Sequence, residues 1–165
     1  MYKNTRTLCF LIDHDQILLT ETVFSSKIRR FTGIGGDVKL EKNIVHETIK
    51  YLFKDIRVTV YPHDLEKVAL IHKISRNEKS EIIADETIHV FTCNRWQGDI
   101  KATPGIKPSW HVIQTVPFSE MLESEEKWLS YILEGEKILV EIVEKRTNPE
   151  GDFTLINVAI RSMYS

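Results

Sequence analysis

Thr5–Asp13 and Gln16–Thr22 are β-rich runs built around the apolar stretches Leu8–Ile12 and Ile17–Leu19, and the pair His14-Asp15 between them reads as the turn of a hairpin. A third β-rich run, Ile28–Ile34, ends in a glycine cluster at Gly33, Gly35 and Gly36. The period then changes. From about Asn43 to Asp55 the apolar residues Ile44, Val45, Ile49, Leu52, Phe53 and Ile56 follow helical spacing and would bury one face. Leu65–Ser75 and Thr87–Arg95 return to strand character, with Asp64 through His89 forming a long ribbon around the polar turn Arg76–Ser80. Pro104 and Pro108 punctuate a loop before a short strand, Ser109–Thr115. Pro117–Leu133 reads as a second helix with proline at its start, where a missing N–H costs little. Glu136–Lys145 and Phe153–Ile160 close the chain as a hairpin across Asn148-Pro149-Glu150-Gly151. Strands before and after each helix predict an α+β domain, a curved mixed sheet flanked by helices.

Composition narrows the classes. At 165 residues the chain suits one domain spanning 1–165, with a real core. A formal charge of −2 gives no basic footprint for nucleic acid or anionic membranes. No apolar run approaches the roughly 18 residues of a membrane span. The N-terminus MYKNTRTLCFLID is too polar for a signal peptide, which makes a cytoplasmic location the expectation. Cys9 and Cys93 lie in apolar strand-like runs and read as two buried thiols, with a single disulfide as the alternative.

The segment FTGIGGDVKLEKNIVHETIKYLFKDIRV, Phe31 to Val58, resembles the Nudix family, whose signature is G-x5-E-x7-R-E-U-x-E-E-x-G-U with U aliphatic. Gly36 occupies the first glycine, Leu52 the internal aliphatic position and Val58 the last. FTGIGG resembles the WNGFGG of MutT-type hydrolases that act on oxidised purine nucleoside triphosphates. ETIHVFTC resembles that family's central strand, and KPSWHVIQTVPFSEMLESEEKW its later strand, turn and second helix. The likeness covers nearly the whole chain and implies the Nudix fold.

The departures fall on the chemistry. The signature's first glutamate falls on Lys42, its arginine on Lys50 and the following glutamate on Tyr51. The Glu-Glu pair falls on Lys54 and Asp55, and the helix-ending glycine on Arg57. A further acid supplied by a later loop in many relatives falls near Gly105. Nudix chemistry, as the resemblance implies it, is attack of water on a diphosphate, with Mg²⁺ neutralising the phosphates and activating the water. Mg²⁺ needs oxygens at about 2.0–2.1 Å in octahedral array, which carboxylates spaced i, i+3 and i+4 on one helical face supply. Here Glu47 and Asp55 are separated by about 12 Å of helix, and their side chains tilt in the same direction without converging. Asp37 and Glu41, placed in the preceding loop, would build a new site with Asp55, not the inherited one. Lys54 adds a cation where a cation should bind.

What remains on the helix has two readings. The polar face of His46, Glu47, Lys50, Tyr51, Lys54 and Asp55 is an ordinary solvated surface with a weak Glu47–Lys50 pair. Alternatively Lys50 and Lys54, stacked at i, i+4, hold phosphate directly where relatives use magnesium. The glycine cluster suits tight turns and close backbone approach, and reads either as a plain strand-to-loop bend or as a phosphate cradle. Lys27, Arg29 and Arg30 form a short basic run that is either solvated or steers phosphate.

In the MutT-type relatives the base is read by an asparagine before the first glycine, by a tryptophan at the start of the second helix and by neighbouring acids. Those places hold Thr32, Leu122, Ser124 and Glu125. Thr32 lacks the two-sided amide contact and Leu122 the stacking face, so only Glu125 keeps the chemistry. Trp110 and Trp128 read as core anchors. The six histidines show no metal spacing, although His89 and His111 lie on strands that could line a pocket.

Three functions follow as expectations. The first is a Nudix-fold binder of a nucleotide or related phosphate ligand through Thr32, Gly35, Gly36, Lys50, Lys54 and Glu125, without the usual magnesium chemistry. The second is a hydrolase that holds Mg²⁺ through displaced carboxylates from Asp37, Glu41, Glu47 and Asp55. The third is a scaffold for a protein partner.

Overall fold

The computed structural model describes residues 2–23 and 29–164. Nine strands and two α-helices are formed among them: β1 (Tyr2–Asp13), β2 (Gln16–Val23), β3 (Arg29–Thr32), β4 (Ile34–Val38), α1 (Ile44–Ile56), β5 (Leu65–Arg76), β6 (Ile82–Cys93), β7 (Lys107–Val112), α2 (Glu123–Leu133), β8 (Ile138–Arg146) and β9 (Phe153–Ser162). The strands run in the order β3-β2-β1-β6-β5-β8-β9, with β4 on β1 and β7 on β2. β1 is the pivot. It pairs in parallel with β6 from Tyr2↔Ala84 to Leu11↔Cys93 and antiparallel with β4 from Thr5↔Val38 to Cys9↔Ile34. Its far end turns into β2 through Ile12↔Ile17, and His14 supplies the positive φ of that hairpin. The result is a curled mixed sheet with a helix on either side.

Alternation along the strands makes two cores. Phe10, Ile71, Val90 and Val140 face α2 and pack with Trp128 and Leu129. Cys9, Leu11, Phe91 and Cys93 face the other way and pack with Leu52 and Ile56 of α1. Both cysteines are buried free thiols, and burial raises the pKa of each.

α1 begins one residue after Asn43, whose side chain accepts from the His46 N–H at 3.0 Å. It ends at Arg57, which holds the left-handed conformation at φ 64° that the family gives to glycine. Phe53, expected on the buried face, is 51% exposed; its ring meets the Arg57 guanidinium at 5.7 Å. Thr48 takes the buried place instead, bonding to Thr7 of β1 and to the Ile44 carbonyl, so the helix seats on the sheet partly through hydroxyls.

Other expectations need correction. The glycines after Thr32 do not make a turn: Gly35 and Gly36 continue as strand β4, and Asp37 therefore stands in a strand, opposite Arg6, not in a loop. A Cβ on Gly35 would overlap the Thr7 carbonyl, so close backbone approach is what requires glycine there. Pro117–Leu133 is not one helix. Phe118–Glu120 forms a separate 3₁₀ turn, and α2 starts only after Leu122. Ser109–Thr115 likewise stops being strand at Val112. Trp128 is core at 2% exposure, whereas Trp110 is 36% exposed and stacks on Trp96.

Candidate functional site

The curl of the sheet leaves a cleft of about 280 Å³ between β1, β5, β6 and β8 on one side and β2, β3 and the start of α2 on the other. Of the six residues expected to bind ligand, Thr32, Gly35 and Glu125 line it, with Leu122 and Ser124 beside them, whereas Gly36, Lys50 and Lys54 do not. Gly35 and Asp55 line its rim. Residues from three distant segments converge because β3 and α2 face each other across the curl.

Glu125 is the centre of the cleft's chemistry. It sits in the first turn of α2 and is nearly fully buried. Its Oε1 accepts a hydrogen bond from Thr32 Oγ1 at 2.9 Å, while Oε2 has no partner among the described residues. Burial raises its pKa from 4.5 to about 7; the Thr32 hydrogen bond and the charges of Lys73 and Arg6 pull the other way. The carboxyl therefore changes state near neutral pH, offering an acceptor above and a donor below. A second buried oxygen, Thr20 Oγ1 on β2, is also without a partner among the described residues and lines the same cleft.

Sequence reasoning missed the charged wall. Arg6, Lys73 and Glu86 all line the cleft from neighbouring strands. Arg6 lies 3.6 Å from Glu86 and 3.4 Å from Asp37. Lys73 lies 3.5 Å from Glu144, which also accepts from the buried Ser75 hydroxyl at 2.7 Å. The available signal was strand phase. Arg6 shares its face with Leu8 and Phe10, and Lys73 shares its face with Ile71, so both are charges at inward positions of apolar strands.

The α1 candidates stand apart from this. Lys50 pairs with Glu47 at 3.5 Å, the weak surface pair, and Lys54 lies 5.9 Å from the Tyr51 ring; neither lines the cleft. Lys54 still acts on the rim, since its charge opposes the burial that raises the Asp55 pKa. Tyr51 donates to the Asp37 carbonyl at 2.7 Å, and its ring fills the space a Cβ on Gly36 would need. Asp37 carries Arg6 and the Asn4 amide, at 2.9 Å, and Glu41 is exposed in the turn before α1. His89 meets Lys67 at 2.8 Å and His111 meets Ser109 at 2.8 Å, both away from the cleft. Lys27 falls outside the described residues, and Arg30 lies on β3.

Magnesium implied by the fold can be tested against this donor set. Where relatives place converging glutamates, α1 presents a phenol, an ammonium and one aspartate. Burial and the surrounding charges of Asp37, Glu47 and Asp55 raise the Tyr51 pKa, so the phenol stays neutral and supplies no anionic oxygen. Among the described residues no three His, Cys, Asp or Glu side chains gather in a way that could hold a metal ion. The residues present do not fit the ion.

No family model matches the chain. An oxidized purine nucleoside triphosphate hydrolase of Danio rerio is 24% identical over 136 residues, 81% of this chain and 81% of that one. Among solved structures, a mutator MutT protein of Bacillus halodurans superposes with a TM-score of 0.78 at 18% identity, covering 95% of this chain and 97% of its own. An ADP-ribose pyrophosphatase of Streptococcus suis gives 0.52 at 13% identity, covering 80% and 90%. The fold is the Nudix fold. Within it the chain is MutT-like, by its likeness to the Danio rerio and Bacillus halodurans proteins. No helix of the described residues is long and apolar enough to cross a membrane.

Proposed function

We propose that the protein binds a phosphate-bearing small molecule, a nucleotide or a relative of one, in the cleft beside Glu125, without the magnesium-dependent hydrolysis of its fold relatives. The observation that carries this reading is the pairing of two facts. The cleft is lined by the buried Glu125, whose Oε2 has no partner among the described residues, whereas α1 carries Tyr51 and Lys54 at the metal positions. An unsatisfied buried carboxylate is costly to keep unless something binds it. The phosphates would leave the cleft past Gly35 and Asp55 towards Lys54 and Lys50, the cations on α1, with Arg6 at the wall.

Calorimetric titration with pyrophosphate and nucleoside triphosphates, with and without EDTA, tests this. Binding that persists in chelator supports it; affinity that disappears with the metal counts against it.

A hydrolase reading draws on Asp55, which remains on the cleft rim with its pKa raised by burial, as a general base would need. Phosphate release from nucleoside triphosphates, dinucleotides or nucleotide sugars with Mg²⁺ or Mn²⁺, lost in Asp55→Asn, would establish it.

A further inference from the structure

The wall of the cleft is unusual for a site that takes a flat aromatic ring. Among the described lining residues there is one aromatic side chain, Trp128, which is only 2% exposed and meets Phe10 edge-on at 6.2 Å. It offers no open face for stacking, and the start of α2 supplies only Leu122. The wall is mainly aliphatic, and among its hydroxyls Thr32 and Thr22 already donate to Glu125 and to the Arg30 carbonyl, which leaves Thr20 and Ser124.

Two of the polar atoms are buried without partners: Glu125 Oε2 and Thr20 Oγ1. An ionised carboxylate only accepts, whereas a threonine hydroxyl both donates and accepts. A ligand hydroxyl can donate to the first and accept from the second. Arg6 and Glu86, paired at 3.6 Å, and Lys73, held by Glu144 at 3.5 Å, add charged donors and an acceptor to the wall for ring hydroxyls. Leu8, Ile88 and Ile142 leave apolar wall for the C–H face of such a ring.

Resting on the reading that this cleft takes a phosphate-bearing molecule, we propose that the group seated inside it is a sugar or polyol, not a purine or pyrimidine, and that Thr20 together with Glu125 selects it. Thr20 is new in this role. It lies on β2, outside every motif the sequence singled out; it lines the cleft, is 2% exposed, and its hydroxyl has no partner among the described residues.

The test compares hexose and pentose phosphates with 2′,3′-dideoxynucleoside phosphates of equal phosphate number, inorganic pyrophosphate serving as reference. The dideoxy compounds keep the base and lose the ring hydroxyls. Tighter binding of the sugar phosphates by about tenfold or more is expected, the scale of one buried hydrogen bond. Thr20→Val should lose about that factor for the sugar phosphates and nothing for pyrophosphate, with Thr20→Ser restoring it. Dideoxynucleoside phosphates binding as well as the sugars, or a Thr20→Val protein with unchanged selectivity, would overturn the proposal while leaving the phosphate reading intact. Failure of every probe, pyrophosphate included, would overturn both.

Discussion

Thr32 Oγ1 donates to Glu125 Oε1 at 2.9 Å, joining the end of β3 to the first turn of α2 across 93 residues of sequence. The bond engages one carboxylate oxygen, while the other is buried without a partner among the described residues. A threonine at this place thus contacts the acid, and on the proposed reading Glu125 is the group that meets the ligand.

Glu125 makes stability fall as pH rises. Its folded pKa, about 7, lies above its ordinary 4.5, so between these values the native state holds a proton that the unfolded chain has released. Stability present below pH 4.5 is lost up to pH 7 and levels off above it. The shift corresponds to about 3 kcal/mol. Glu125→Gln keeps an acceptor for Thr32 and has no charge to bury. Thermal unfolding from pH 4 to 8 should show the sloping component in the natural chain and not in the variant, which gains most at pH 8. Parallel curves for the two proteins would refute the assignment.

The two lysines on α1 should govern phosphate affinity and its salt dependence. Replacing both Lys50 and Lys54 by Met should weaken pyrophosphate binding roughly tenfold and flatten its dependence on ionic strength. EDTA should change neither protein's affinity. Unaltered binding in the double variant would leave the helix face as plain solvated surface.

The strands were legible because short β-rich runs end at turn residues, as in Thr5–Asp13 before His14-Asp15 and in the ribbon flanking Arg76–Ser80. Helix α1 was legible from its period and from Asn43. The errors came where tertiary contacts override local pattern. Glycines normally punctuate, but Gly35 and Gly36 serve a close strand approach set by Thr7 and Tyr51, which local sequence does not contain. Phe53 follows Leu52 by about 100° of helix and so lies at the edge of the face that Thr48, Leu52 and Ile56 bury, where it is 51% exposed. At the site, Thr32 and Glu125 were found through motif position. Thr20, Arg6 and Lys73 needed the curl of the sheet to come together, and strand phase alone could only have flagged the charges.

Arg57 carries a local cost. Its φ of 64° is the left-handed conformation, unfavourable for a side chain with a Cβ by about 1 kcal/mol. Arg57→Gly removes that penalty and also the guanidinium contact with the exposed Phe53 ring. Contacts of that kind at exposed sites give at most about 1 kcal/mol, and glycine costs extra unfolded-state entropy. Arg57→Ala isolates the terms, since it loses the contact but keeps the strain. Chemical denaturation should rank glycine above alanine by roughly 1 kcal/mol. Alanine equal to glycine would mean the cap conformation is not strained.

If the phenol and ammonium on α1 are what exclude a divalent ion, restoring carboxylates should admit one. The variant Lys42→Glu, Tyr51→Glu, Lys54→Glu, Asp55→Glu rebuilds acids at i, i+3 and i+4 on one face of the helix. Tyr51 gives up only one side-chain hydrogen bond, to the Asp37 carbonyl, and its removal opens the space beside Gly36. Manganese titration followed by electron spin resonance should then show a bound ion in the variant and free ion with the natural chain at equal concentration. Phosphate release from nucleotide or sugar diphosphates should appear, if anywhere, in the variant. Tight manganese binding by the natural chain, lost on Asp55→Asn, would mean that its own acids already converge and that the hydrolase reading is the right one.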